Sequence, residues 1–203
     1  MKLSSLRLPA LALALGLTLA ACGGGKAEFD VKGTIFGLAY PGLVLTNNGA
    51  NDLAVADKAS SFAFPGTIEY GTPYSVAIKK QPDHQTCGFG ANNVPGSETE
   101  TAGRQASINV LVTCVLNTAA IGGTVSGLTA DGLQLNNGSD ELKAVVKDAT
   151  SYTFTNPLAF GTSYGISILA QPAGLTCRLE NPVGTMGDAA ITNINIICVP
   201  KPA

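Results

Sequence analysis

The chain has 203 residues, a formal net charge of −2, and only 13% charged residues against 45% hydrophobic ones. It lacks Trp and carries 24 Gly and 11 Pro, a composition poor in strong helix formers and rich in turn formers that argues for an all-β chain. The only adjacent basic pair is Lys79-Lys80, so there is no basic stripe of the kind that nucleic-acid binding requires.

Residues 1–21 read as an export signal. Lys2 and Arg7 form a positive start, and residues 8–20 form an apolar run too short for a confident membrane span. Leu19-Ala20-Ala21-Cys22 resembles the lipobox of bacterial lipoproteins. That resemblance implies cleavage before Cys22, acylation of Cys22, and attachment to a membrane through the lipid. Several acyl chains hold firmly because each buried CH₂ contributes about 0.8 kcal/mol. Gly23 follows Cys22 where an inner-membrane retention Asp would stand, which implies an outer-membrane address. Residues 22–29 then form a short tether, with glycines at 23–25.

The first copy of an internal repeat spans residues 30–116. Alternation and turn signals predict strands at 30–36, 43–46, 52–56, 60–64, 74–80, 86–90 and 106–114. Tyr74, Val76 and Ile78 share one face, as do Ile108, Val110, Val112 and Cys114. Asn47-Asn48-Gly49 marks a tight turn. Residues 91–105 read as a polar loop.

The second copy spans residues 120–199, with strands expected at 120–126, 133–136, 142–146, 151–155, 164–170, 176–180 and 191–199. GTPYSVAIKKQP at 71–82 returns as GTSYGISILAQP at 161–172, an offset of 90 residues. The closing strand returns at an offset of 84, and the missing residues lie between the cysteines, where the first copy has its 91–105 loop. Four cysteines beyond Cys22 allow three pairings. Their matching places in the repeat favour Cys87–Cys114 and Cys177–Cys198 in an oxidising compartment. A metal site lacks the short Cys spacing it would need. Each copy is expected to be a small antiparallel immunoglobulin-like β-sandwich, stapled internally because its core is modest. A single domain with a shared core is the alternative, kept open by the short linker at 116–119.

The segments GTVSGL (123–128), GLQLNNG (132–138) and QPAGLTC (171–177) resemble repeats of uncharacterised bacterial lipoproteins and surface proteins. The resemblance covers 33–114 and 123–198. The first copy departs from it at 37–40 and in the long loop. It implies a β-rich extracytoplasmic module and no activity.

No nucleophile elbow or phosphate loop is present. His84, the sole histidine, reads as a solvated turn residue beside Asp83. Glu98 and Glu100 read as solvated loop acids. Turn acids at Asp52, Asp140 and Glu141 lack a calcium-loop spacing. No cofactor, metal or catalytic residue is expected. Tyr40, Phe89, Val94, Glu98 and Glu100 are the candidate binding residues, because the first two are aromatics outside the alternating faces and the rest lie in the unrepeated loop. The expected protein is a lipid-anchored, non-enzymatic structural or adhesion-type module of the outer membrane. Its partners would be the membrane through its lipid and an unassigned protein or glycan. The alternatives are a carbohydrate- or surface-polymer-binding lipoprotein and, more weakly, a periplasmic enzyme or inhibitor.

Overall fold

The alternating segments fold as strands throughout. The computed structural model describes residues 25–138 and 141–202; the signal peptide, Cys22 and Gly23 lie outside them. The first copy contains β1 (Glu28–Phe36), β2 (Val44–Asn47), β3 (Asn51–Ala54), β4 (Ser61–Glu69), β5 (Pro73–Lys80), β6 (Gln85–Phe89), β7 (Ser97–Thr101) and β8 (Val110–Leu116). Two short strands follow at the linker side, β9 (Thr118–Ala119) and its later partner β14 (Leu158–Ala159). The second copy proper contains β10 (Gly122–Ser126), β11 (Leu133–Asn137), β12 (Glu141–Val145), β13 (Ser151–Thr153), β15 (Ser163–Ala170), β16 (Leu175–Leu179), β17 (Val183–Thr185) and β18 (Ile196–Pro200).

Each copy is a two-sheet immunoglobulin-like sandwich. In the first, one sheet runs β4-β1-β8-β6 and the other β3-β2-β5-β7. In the second, the orders are β13-β10-β18-β16 and β12-β11-β15-β17. The two copies do not share a core. Val31, Leu45, Val76 and Val112 belong to one buried cluster, and Ile121, Leu135, Ile166 and Ile196 to another. Period-two alternation puts one side of each strand into these clusters, as Phe62 and Phe64 show. Each fully buried Leu, Ile, Val or Phe contributes roughly 1.5–3 kcal/mol.

The last strand of each copy pairs parallel with the first. Gly33 to Phe36 lie beside Val110 to Thr113, and Val125-Ser126 beside Ile196-Ile197. A repeated glycine makes room at the approach. A Cβ at Gly33 would lie 2.0 Å from the Val110 carbonyl oxygen, and one at Gly123 would lie 2.0 Å from that of Ile194.

Both disulfides form as the repeat favours, Cys87–Cys114 and Cys177–Cys198. Their placement differs from an antibody-type bridge. The cysteines stand directly opposite each other on adjacent antiparallel strands, β6 with β8 and β16 with β18. They staple one sheet's edge strand to its neighbour rather than one sheet to the other. The repeated Gln-Pro supports the same edge. Gln81 accepts from the Cys87 N–H at 2.7 Å and donates to its carbonyl at 3.0 Å. Gln171 does the same at Cys177, at 2.8 and 2.9 Å. The side-chain amide thus stands where a further strand would otherwise bond.

The polar stretch 91–105 is not wholly a loop. It contains β7, which pairs antiparallel with β5 from Pro73↔Thr101 to Ala77↔Ser97. Its Ser, Thr and Glu composition hid it, because an edge strand with both faces partly wet shows no apolar alternation.

Gly33→Ala and Gly123→Ala are each expected to cost about 1–3 kcal/mol of stability by overpacking. Chemical denaturation of the full chain checks this, with Gly25→Ala, where nothing lies within 4 Å of the added Cβ, as the neutral control.

Candidate functional site

The five candidate binding residues do not form one site. Phe89 is 4% exposed and lies in the first core, opposite Val112. Its reading as a free aromatic is corrected by period two: it follows Cys87 by two residues and shares that buried face. Val94 is 56% exposed, on a turn whose backbone bonds Phe89 in both directions at 2.8 and 2.9 Å. Glu98 and Glu100 stand on β7 opposite Val76 and Tyr74. Glu100 accepts from the Thr101 N–H at 2.9 Å and from Arg104 at 3.2 Å. Burial, with Glu100 and Glu98 nearby, pushes the Tyr74 phenol up. Tyr40 lies elsewhere, with its ring against His84 and Phe160. Burial alone raises the Tyr152 phenol, which donates to the Ile194 carbonyl at 2.9 Å. Among the described residues there is no group of three or more His, Cys, Asp and Glu placed to hold a metal ion, and no catalytic constellation.

What the structure does assemble is a polar and aromatic junction between the sandwiches. His84 is not a solvated turn residue. Its ring stacks on Phe160 with centroids 3.7 Å apart and planes 8° from parallel. Its Nδ1 bonds Asp188 Oδ2 at 2.6 Å. Tyr40 packs edge-on against both rings, at 5.1 and 5.5 Å. Asn117, in the linker, donates to Asp188 Oδ1 at 3.1 Å and accepts from Thr86 at 2.8 Å. The Asn117 carbonyl accepts from the Phe160 N–H at 2.8 Å.

Each part has a local cause. His84 takes a left-handed φ of 59° at the turn after Pro82, which aims the ring off the tip of the sandwich. Gln85, 2% exposed, holds the Tyr40 loop. Its Oε1 accepts from the Ala39 and Tyr40 N–H groups at 2.7 and 3.0 Å, and its Nε2 donates to the Gly37 carbonyl at 2.7 Å. This explains the first copy's departure from the repeat at 37–40.

Asn117, Phe160, Asp188 and Gln85 were missed in the sequence. The signal that could have found them is a break in the repeat. At matching places, Tyr40, His84 and Gln85 become Ala130, Gly174 and Leu175, and Asn117 becomes Lys201. The backbone confirms the last match: Asn117 N–H bonds the His84 carbonyl, and Lys201 N–H bonds that of Gly174, both at 2.9 Å. On the other side of the junction, Phe160 and Asp188 stand where the first copy has Tyr70 and Arg104. The copies therefore differ at the tips that face each other.

Hydrogen bonds from His84 and then Asn117 hold the Asp188 carboxyl below its ordinary value of 3.8. The carboxylate form is thus favoured by the assembled junction. Its contribution is present above the ordinary value and lost as pH falls through the lowered one.

No protein-family model and no curated protein matches the chain. Among solved structures it is similar to the Bacillus anthracis TIE protein, at 14% identity over 85% of this chain and 34% of that one, with a TM-score of 0.47. It is similar to the pilus adhesin SpaC of Lactobacillus rhamnosus GG, at 12% identity over 77% of this chain and 28% of that one, with a TM-score of 0.31. It is also similar to the major pilin T-13 of Streptococcus pyogenes, at 10% identity over 86% and 96% of the two chains, with a TM-score of 0.24. The chain spans about a third of the first two proteins. These values mark a distant likeness and assign no partner or activity. The outer-membrane address expected from Gly23 is withdrawn on this finding, because these three organisms lack an outer membrane.

His84→Gly, which installs the second copy's residue, is expected to uncouple the two sandwiches while leaving each folded. NMR relaxation would then give them separate rotational correlation times, whereas the parent gives one. In acid the parent should follow the variant. The junction is expected to be intact above about pH 5 and to loosen below the ordinary carboxylate value, and Asp188→Asn should abolish that acid transition.

Proposed function

We propose that this chain is a lipid-anchored, non-enzymatic extracytoplasmic module of structural or adhesive type. In this reading residues 1–21 are removed, Cys22 carries the acyl group, residues 22–29 tether the fold, and repeat domains 30–116 and 120–199 follow. The observation that carries it is the junction. The side chains that depart from the repeat at the facing tips are spent on locking one sandwich to the other, around His84, Phe160 and Asp188. A fixed pair of stapled sheets held near a membrane serves to hold or present surfaces rather than to turn over a substrate. The described cavities are open grooves of 160–420 Å³. The one lined by Glu28, Asp30 and Lys32 has Asp30 and Lys32 paired with each other and Glu28 accepting from Thr67.

The carbohydrate-platform alternative is not favoured. Of the aromatics it could draw on, Tyr40 is engaged at the junction, Phe89, Tyr74 and Tyr152 are in the cores, and Tyr164 packs against the second core, which leaves Tyr70 exposed by itself. A protein partner remains the better fit to sheet faces and loop tips.

Mass spectrometry of the membrane-extracted protein is expected to find an acylated N-terminal Cys22 peptide, and Cys22→Ser should release the chain from the membrane fraction. An unmodified Cys22 thiol would sink the anchor. Attachment of cells carrying the parent or Cys22→Ser chain to protein-coated surfaces tests the adhesive role, and equal attachment would count against it. A glycan array probed with the soluble chain is expected to be blank. Sugar binding that vanished on changing Tyr40 would revive the alternative.

A further inference from the structure

The repeat supplies its own control for the surfaces it exposes. In the first copy the outer face of the sheet β3-β2-β5-β7 is polar. Asp52 on β3 and Lys79 on β5 form an ion pair across it, and Ser75 and Thr99 hydroxyls lie 2.9 Å apart further along. At an offset of 90 residues, Asp52 becomes Leu142 and Lys79 becomes Leu169. The ion pair is replaced by two leucines, 66% and 57% exposed. Ala56 becomes Val146, 69% exposed, and Val183 on β17, opposite Gly165, is 71% exposed. The fold does not require this apolar face, because the first copy does without it.

The face reaches a free edge. β12 lies at the end of its sheet and, among the described residues, pairs only with β11. One row of its backbone N–H and C=O groups is therefore open to another strand. In the first copy the same edge carries Asp52, a charge that discourages such pairing. In the second, the outward residues Leu142, Ala144 and Val146 offer an apolar strip.

The pattern of this strip suits itself. A two-fold axis through Ala144 would lay β12 antiparallel against β12 of another molecule. Leu142 would then stand opposite Val146, and Lys143 opposite Val145. The acidic Glu141 at the strand's start would come level with the basic Lys147 just past its end. The chain turns there, with Asp148 at a φ of 60°, so pairing stops after the complementary charges. The same operation on β3 sets Asn51 against Asp57 and Asp52 against Ala56, with no attraction in either pair, and leaves Leu53 against Val55, both of which already pack on the first core. Cross-strand apolar and opposite-charge pairs are the units that stabilise a sheet, and a two-fold axis counts each of them twice.

We propose that a second copy of this chain is the partner of this surface, docked antiparallel through β12. The two outer sheets become one continuous eight-stranded sheet, and Leu142 and Val146 of both molecules are covered. The pairing holds whether or not Cys22 is acylated.

Sedimentation equilibrium of the mature chain in density-matched detergent tests it. A concentration-dependent dimer is expected. Leu142→Asp should weaken that dimer by roughly tenfold or more, since each change is felt at two places. Leu142 is exposed, so the variant should keep both disulfides and its far-ultraviolet spectrum. A second arm avoids any loss of stability: Ala144→Cys should be joined to its own copy by a short bifunctional thiol reagent, while Ala54→Cys in the first copy should not. A chain that stays monomeric at several hundred micromolar would overturn the proposal. So would a dimer indifferent to Leu142→Asp, or cross-linking at Ala54→Cys equal to that at Ala144→Cys.

Discussion

Each sandwich depends on bringing its last strand against its first. The paired residues are 77 apart in the first copy (Gly33 and Val110) and 71 in the second (Val125 and Ile196), and they pair parallel, so the closure is a long-range contact with a real entropic cost. Three local devices secure it. Gly33 or Gly123 lets the backbones meet where a Cβ would collide with a carbonyl oxygen. A cross-strand disulfide fixes the last strand to β6 or β16. The Gln81 or Gln171 amide then caps that edge strand at its cysteine. A unit this small has limited core, and removing freedom from the unfolded chain compensates for it.

Two units built alike need something unlike to join them in one order. That is supplied where the repeat fails. Gln85 replaces what becomes a core leucine and pins the Tyr40 loop. His84 replaces what becomes a glycine and reaches the other sandwich. Phe160 and Asp188 receive it. The stack contributes about 0.5–1.5 kcal/mol on the scale of aromatic pairs. The half-exposed His84–Asp188 pair adds direction more than energy. The lower tip of the second sandwich, with Ala130, Gly174 and Lys201, lacks this equipment, so the same contact is not offered again at the far end.

The two sandwiches have also diverged on their outer sheets. One keeps an ion pair and hydroxyls across its face, and the other has leucines and valines at the same offsets. Since both fold around equivalent cores, the difference concerns what lies outside the fold. In a module without a chemical centre among its described residues, surface divergence of this kind is where function is to be sought.

Much of the fold was legible in the residues. Alternation at Tyr74-Val76-Ile78 and Tyr164-Ile166-Ile168 announced sheets, and the repeat of Cys87 and Cys114 at Cys177 and Cys198 announced which thiols meet. Both signals are local or periodic, and a single chain displays them directly. The repeat also marked 37–40 and 91–105 as departures without saying what they do. Phe89 was legible in principle, since it lies on the expected strand 86–90, two residues from Cys87 and so on the face that the cysteine buries. β7 was not legible, because a wet edge strand has no apolar rhythm. The junction was out of reach, since His84 and Asp188 are separated by 104 residues and nothing periodic links them. Sequence alone determined the two stapled β units, because backbone period and repetition are written along the chain. Tertiary structure decided which tips and faces meet, because those contacts depend on how two finished sandwiches are set against each other.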